Sequence, residues 1–169
     1  PKIPPLRVNN IFVTLSEVRY FNDLFSLQFT PIRNNSELPD LNFLTHKRIN
    51  HLTVEREQIL SLIRNINPNK ATGPDGISGQ MLILCDESVS VPLQIIFENI
   101  LSNSIYPYLW KLANVTPIFK KGDKLLIKNY RPISLFPICV KLLEKIIFHQ
   151  IYLYLDSNDL ITVNQSSTR

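Results

Sequence analysis

The chain has 169 residues, of which 44% are apolar and 19% charged, with a formal net charge of +4. That length suits one domain with a real core, and the composition is globular rather than disordered. No stretch approaches the ~18 consecutive apolar residues of a membrane span, and "PKIPPLRVNN" at the start lacks the apolar region of a secretory signal. A soluble protein of the cytoplasm or nucleus, with no membrane partner, is expected.

Residues 1 to 52 are mixed in character. An amphipathic segment, "SEVRYFNDLFSLQF", is followed by "TPIRNNSELPD", whose polar and proline residues read as linker. Function is expected elsewhere. "LTVEREQILSLIRNIN" predicts a helix with Thr53 as cap, Glu55 and Glu57 near its positive end, and Ile59, Ile63 and Ile66 on one face. Asn67 and Pro68 stop it. "GPDG" then suits a type I turn, with Pro74 second and Gly76 fourth. "MLILC" opens a short helix. From Ser88, the spacing of Val89, Leu93, Ile96, Phe97, Ile100 and Leu101 predicts a longer one, with Pro92 tolerated near its start. "SNSIYPYLW" turns the chain, with Trp110 as a packing anchor. Residues 115 to 119 and 132 to 136 read as short strands, and a long helix runs from Pro137 to about Asp156, marked by Val140, Leu143, Ile147, Ile151, Tyr154 and Leu155.

Few motifs carry catalytic chemistry. The carboxylates are scattered, with no DxD, aromatic-x-D-D or HExxH pattern to gather a metal. No serine sits in a GxSxG elbow, and no GxxxxGK[ST] phosphate loop occurs. His46, His51 and His149 are read as surface or core residues. Cys85 and Cys139, without a CxxC or Cys/His cluster, are read as reduced core thiols.

The segment "NVTPIFKKGDKLLIKNYRPIS" stands apart. From Lys111 to Lys145 there are eight Lys or Arg against Asp123 and Glu144, a net +6, so the rest of the chain sums to −2. Lys120, Lys121, Lys124 and Lys128 crowd the turn, and Arg131 enters the second strand. Ammonium groups on a rigid turn can sit beside phosphate oxygens, and a guanidinium can grip one through two parallel hydrogen bonds. Each such contact contributes ~1.5–3 kcal/mol when desolvated. Phe119, Tyr130 and Phe136 offer faces on which bases stack, although strand alternation must turn some of them inward. Two readings stand at this point: a phosphate-binding hairpin, or a solvated loop whose lysines discourage edge pairing.

Four segments together carry a resemblance. "NKATGPDGIS" (69 to 78), "PLQIIFENILSNSIYPYLWKLANVTPIFKKGD" (92 to 123), "NYRPISLFPICVKLLEKII" (129 to 147) and "LITVNQSSTR" (160 to 169) resemble, in order and spacing, the start of the reverse transcriptase domain of retrotransposons without long terminal repeats. The resemblance implies an α+β, mostly helical piece with a small antiparallel β-hairpin, forming the fingers and palm entry of a right-hand polymerase. Residues 52–169 would be that piece, and residues 1–51 the connector before it. It also implies that Lys120 and Arg131, with Lys121 as neighbour, contact the incoming nucleoside triphosphate. Lys70, Gly73, Pro74, Asp75 and Gly76 are similar to a family motif that lies against the template and the framework, as a template contact or a structural turn.

The family's palm aspartates, which hold Mg²⁺, follow a segment like "NQSGFR". This sequence has Ser167 and Thr168 where the family shows Gly and Phe, and it contains neither aspartate motif. Pro1 in place of Met and the polar end suggest a piece of something longer. The expectation is a polymerase fragment, inactive alone and binding no Mg²⁺ itself, that in the full-length protein meets RNA template, DNA primer, dNTP and its own palm and thumb. A non-enzymatic nucleic-acid-binding module and a functionless relic are the alternatives.

Overall fold

The computed structural model describes residues 6–8, 11–13, 18–28, 48–49 and 51–161. They are mixed helix and strand, mostly helix. The chain groups into two compact units: Pro1–Pro39 with Val115–Ser134, and Asp40–Asn114 with Leu135–Arg169. The linker segment 30–40, His46 and the last eight residues, including Ser167 and Thr168, lie outside the described residues.

The second unit is helical. Helix α2 (Arg56–Arg64) is capped by Glu55, whose backbone is extended and whose N–H donates to Gln58 Oε1 at 3.3 Å. Thr53 is therefore not the cap. Its backbone is held by Gln150 instead, N–H to Oε1 at 3.0 Å and carbonyl from Nε2 at 2.7 Å, which ties the approach to α2 onto α5 (Ile138–Ser157). Ile59 and Ile63 are wholly buried, as the periodicity predicts.

Ser78 caps the short helix α3 (Gly79–Leu84), its Oγ accepting from Met81 N–H at 3.1 Å. Helix α4 (Asp86–Asn103) starts two residues earlier than the sequence suggests, so Pro92 lies in its interior rather than near its start. The carbonyl of Ser88, four residues back, loses its helical donor, but Ser88 is exposed and water can replace it. The early start is set by charge. Asp86 and Glu87 occupy the first turn, where the helix dipole favours anions, and both reach α2: Arg64 Nε to Asp86 at 2.7 Å, Arg64 Nη2 to Glu87 at 2.8 Å, and Arg56 to Glu87. The hydrogen bond from Arg64 holds the Asp86 carboxyl below the usual range. Arg56 Nε also donates to Ser90 Oγ at 2.9 Å, which satisfies a fully buried hydroxyl.

Leu93, Phe97 and Ile100 of α4 meet Ile59 and Ile63 of α2 and Ile138, Leu142, Leu143 and Ile146 of α5 in one core. Ile96, predicted on the same face, is more than a third exposed. Trp110 packs edge-on against Phe97 and Tyr106, with ring centroids 6.0 and 6.2 Å apart, as an anchor should. Cys139 is buried in this core, but Cys85 is exposed between α3 and α4, so only one thiol is a core residue. Burial, with Asp75 nearby, pushes the Cys139 thiol up to about 11.

Among its described residues the first unit contains two small sheets. Strands β1 (Leu6–Val8) and β2 (Ile11–Val13) pair antiparallel, with Leu6 opposite Val13. The mixed reading of the amino-terminal region missed this pair. Its signal is "LRVNNIFV", two apolar runs around Asn9-Asn10. Helix α1 (Val18–Gln28) lies within the amphipathic segment. The other sheet, β3 (Asn114–Phe119) with β4 (Tyr130–Leu135), is the basic hairpin.

Two outcomes are expected. A Cβ at Gly73 would lie 2.4 Å from Pro137 N and 2.6 Å from its Cα, and backbone cannot swing aside; Gly73→Ala should lose ~1–3 kcal/mol in urea unfolding. For Cys139 the folded thiol ionises later than the unfolded one, so its contribution to stability is complete below about pH 9 and lost as pH rises through about 11. Urea midpoints should fall across that window in the native chain and fall less in Cys139→Ser.

Candidate nucleotide-binding hairpin

The hairpin is built by alternation. Phe119 ends β3 and Tyr130 begins β4; their rings meet edge-on at 5.6 Å, and Tyr130 is 5% exposed. Phe21 of α1 closes on Tyr130 at 5.6 Å, and Phe25 completes the cluster. These two rings therefore form the hairpin's inner face and are not stacking platforms for bases, as their place in the sequence allowed. Because side chains alternate along a strand, the next residues, Lys120 and Arg131, point to the other face. Both are exposed. Phe136 lies outside β4, half-buried.

The connection 120–129 has a defined shape. Lys120 N–H donates to Asn129 C=O at 2.8 Å and closes the mouth. Gly122 has φ +91°, a conformation that favours glycine. Asp123 starts an Asx turn, its Oδ1 accepting from Leu125 N–H at 2.9 Å, while its carbonyl accepts from Asn129 Nδ2 at 2.8 Å. A 3-10 turn, Ile127–Asn129, leads into β4, and Tyr130 Oη donates to the carbonyl of Lys124 at 3.0 Å. Gly122, Asp123 and Asn129 thus make the loop, and sequence reasoning fixed on the lysines missed them. The Gly-Asp pair followed by Asn six residues later was the available signal.

Lys120, Lys121, Lys128 and Arg131 make no ion pair with any described residue. The ammonium of Lys124 lies 5.6 Å from the centre of the Phe119 ring. A fixed loop with unneutralised amines and a guanidinium on its outer face is suited to a polyphosphate.

Lys70, Gly73, Pro74, Asp75 and Gly76 belong to the helical unit. Gly73 C=O accepts from Gly76 N–H at 3.2 Å and Gly76 has φ +70°, so the expected turn forms. Gly73 is buried against Phe136–Pro137, and Asp75 Oδ1 accepts from Ile77 N–H at 3.3 Å. Lys70 is exposed. The turn thus packs on the start of α5. Among the described residues, no three His, Cys, Asp or Glu side chains come together to hold a metal ion. No described helix is long and apolar enough to cross a membrane.

The relatives of this chain are RNA-directed DNA polymerases of non-LTR retrotransposons. The polymerase of the mobile element jockey from Drosophila funebris is 31% identical over 99 residues, 58% of this chain and 11% of the relative; its counterpart from Drosophila melanogaster is 29% identical over the same share. The Pol polyprotein of the type-1 retrotransposable element R1 from Bradysia coprophila is 28% identical over 95 residues, 55% of this chain and 10% of the relative. The chain thus spans about a tenth of the length of the curated relatives it matches. No family model matches it.

The loop geometry predicts a separation of shape from charge. Asn129→Ala removes the bond to Asp123 C=O and should loosen the mouth by ~1 kcal/mol, or roughly five-fold faster hydrogen exchange at the Lys120 amide. Lys121→Ala should leave that exchange unchanged.

Proposed function

We propose that this chain is a portion of an RNA-directed DNA polymerase of a non-LTR retrotransposon, contributing contacts to nucleotide and template. In this reading residues 52–169 are the fingers and palm entry of a right-hand polymerase, and residues 1–51 the connector that precedes them. The whole enzyme copies RNA template onto DNA primer with dNTP and Mg²⁺, in the cytoplasm or nucleus, and its palm and thumb complete the site. The observation that carries the reading is the hairpin. Its aromatic inner face fixes the frame, and Lys120 and Arg131 stand unneutralised on the outer face, with Lys121 at the start of the loop.

Arg131 would take the phosphates bidentately and Lys120 and Lys121 would add point charges. Gly73 to Gly76 support the start of α5, and Lys70 is free to reach a template strand. Surface composition supports a part of a larger fold: Leu84, Ile105, Tyr108 and Phe148 are each more than 60% exposed.

Isothermal titration of dTTP into the chain tests the hairpin. Lys120→Ala and Arg131→Ala should each weaken binding roughly tenfold, from the loss of one charge-assisted contact. The affinity should also fall as salt is raised. Equal binding by wild type and both variants would rule out the triphosphate role.

A further inference from the structure

Helix α5 has a second apolar side. Its buried residues Leu142, Leu143 and Ile146 face the core, and roughly half a turn round from them Phe148, Ile151, Tyr152 and Leu155 follow the spacing of one helix face. Phe148 is 63% exposed and Ile151 38%. The rings of Phe148 and Tyr152 lie together, centroids 5.8 Å apart and planes tilted by 31°, so the middle of the stripe is a paired aromatic surface. We propose that this stripe is a self-association face, on which α5 of a second copy of the chain packs antiparallel.

Charge selects that occupant. Lys141 and Lys145 lie on the amino-terminal side of the two rings, Asp156 and Asp159 on the carboxy-terminal side. None of the four forms an ion pair among the described residues. With Phe148 opposite Tyr152 of an antiparallel copy, the same register sets Lys145 opposite Leu155, next to Asp156, and Lys141 opposite Asp159. The lysine stem then covers the leucine while its ammonium reaches the carboxylate. Glu144 stands on the other flank, a heptad before Ile151, clear of Asp156.

A twofold axis repeats every one of these contacts, so opposite charges meet at both ends of the stripe. A parallel copy would set Lys145 against Lys145 and Asp156 against Asp156. A partner of a single charge, acidic or basic, would satisfy one end and be repelled at the other, whereas a second copy satisfies both. The apolar surface amounts to about two turns per copy, which makes the interface a small one and the dimer reversible. The stripe shares no residue with the hairpin, so this inference stands apart from the nucleotide reading.

Analytical ultracentrifugation of the 169-residue chain, from about 10 µM to about 1 mM, should show a monomer–dimer equilibrium. Phe148→Ala removes a ring from both copies and should weaken the dimer at least roughly thirtyfold. Leu84→Ala, at a position equally open to solvent but on α3, should leave it unchanged. Lys145→Glu and Asp156→Lys, both at exposed positions, should each weaken it roughly fivefold, because each sets like charges against one another at both ends. An equimolar mixture of these two variants should regain the native affinity as a heterodimer, in which both ends are again opposite. That rescue decides the matter even if circular dichroism shows Phe148→Ala to be unfolded. A monomer over the whole range overturns the inference and leaves the stripe to another part of a longer polypeptide. Weakening by Leu84→Ala equal to that by Phe148→Ala overturns it in favour of general apolar adhesion, and a mixture that regains nothing overturns the antiparallel pairing.

Discussion

Gly73 lies against Pro137 so closely that a single added carbon would strike backbone. Much of the helical unit depends on that approach. Pro137 caps α5, the longest helix, and the residues that follow it, Ile138, Cys139, Val140, Leu142 and Leu143, are all buried. Were the turn at 73–76 displaced, the first two turns of α5 would lose the surface they seat on. The glycine is demanded by proximity, since its own φ is not the strained one in this turn; that is Gly76.

Around this contact the unit is held by two different kinds of force. Within the core, Phe97, Ile59, Ile63 and Leu143 are wholly or almost wholly buried, and non-directional apolar burial suffices. At the rim, where α2 meets the start of α4, direction matters. Arg56 and Arg64 fork onto Asp86 and Glu87, so the anionic first turn of α4 is matched by the cations of α2. Exposed pairs of this kind add little stability, but they fix which turn of one helix faces which turn of the other.

The helices and the hairpin were legible in the sequence because periodicity reports which face is buried. Ile59 and Ile63, Leu93 and Phe97, and Leu143 are core residues as their spacing says. What was not legible depends on partners distant in the chain. Thr53 has the chemistry of a cap, but Gln150, 97 residues away, engages its backbone, and Glu55 takes the position. Cys85 and Cys139 are the same residue type, and only the fold separates an exposed helix junction from a buried core site. At the hairpin, alternation foretold that some aromatics face inward without saying which; the contact with Phe21 of α1 decides it. The roles of Lys120, Lys121 and Arg131 rest on resemblance and on electrostatic suitability, since a charged surface does not by itself name its anion.

The connection between β3 and β4 assigns its two tasks to separate residues. Gly122, Asp123, Asn129 and the Tyr130 hydroxyl set the course of the backbone, and no lysine side chain takes part in those hydrogen bonds. Apart from the Lys124 ammonium beside the Phe119 ring, the lysine side chains contribute charge alone. The number and position of cations can therefore drift by single substitutions while the loop keeps its path, which makes this hairpin a scaffold tunable in anion affinity without being rebuilt. A change at Asn129 or Gly122 has the opposite character: it would move every cation at once.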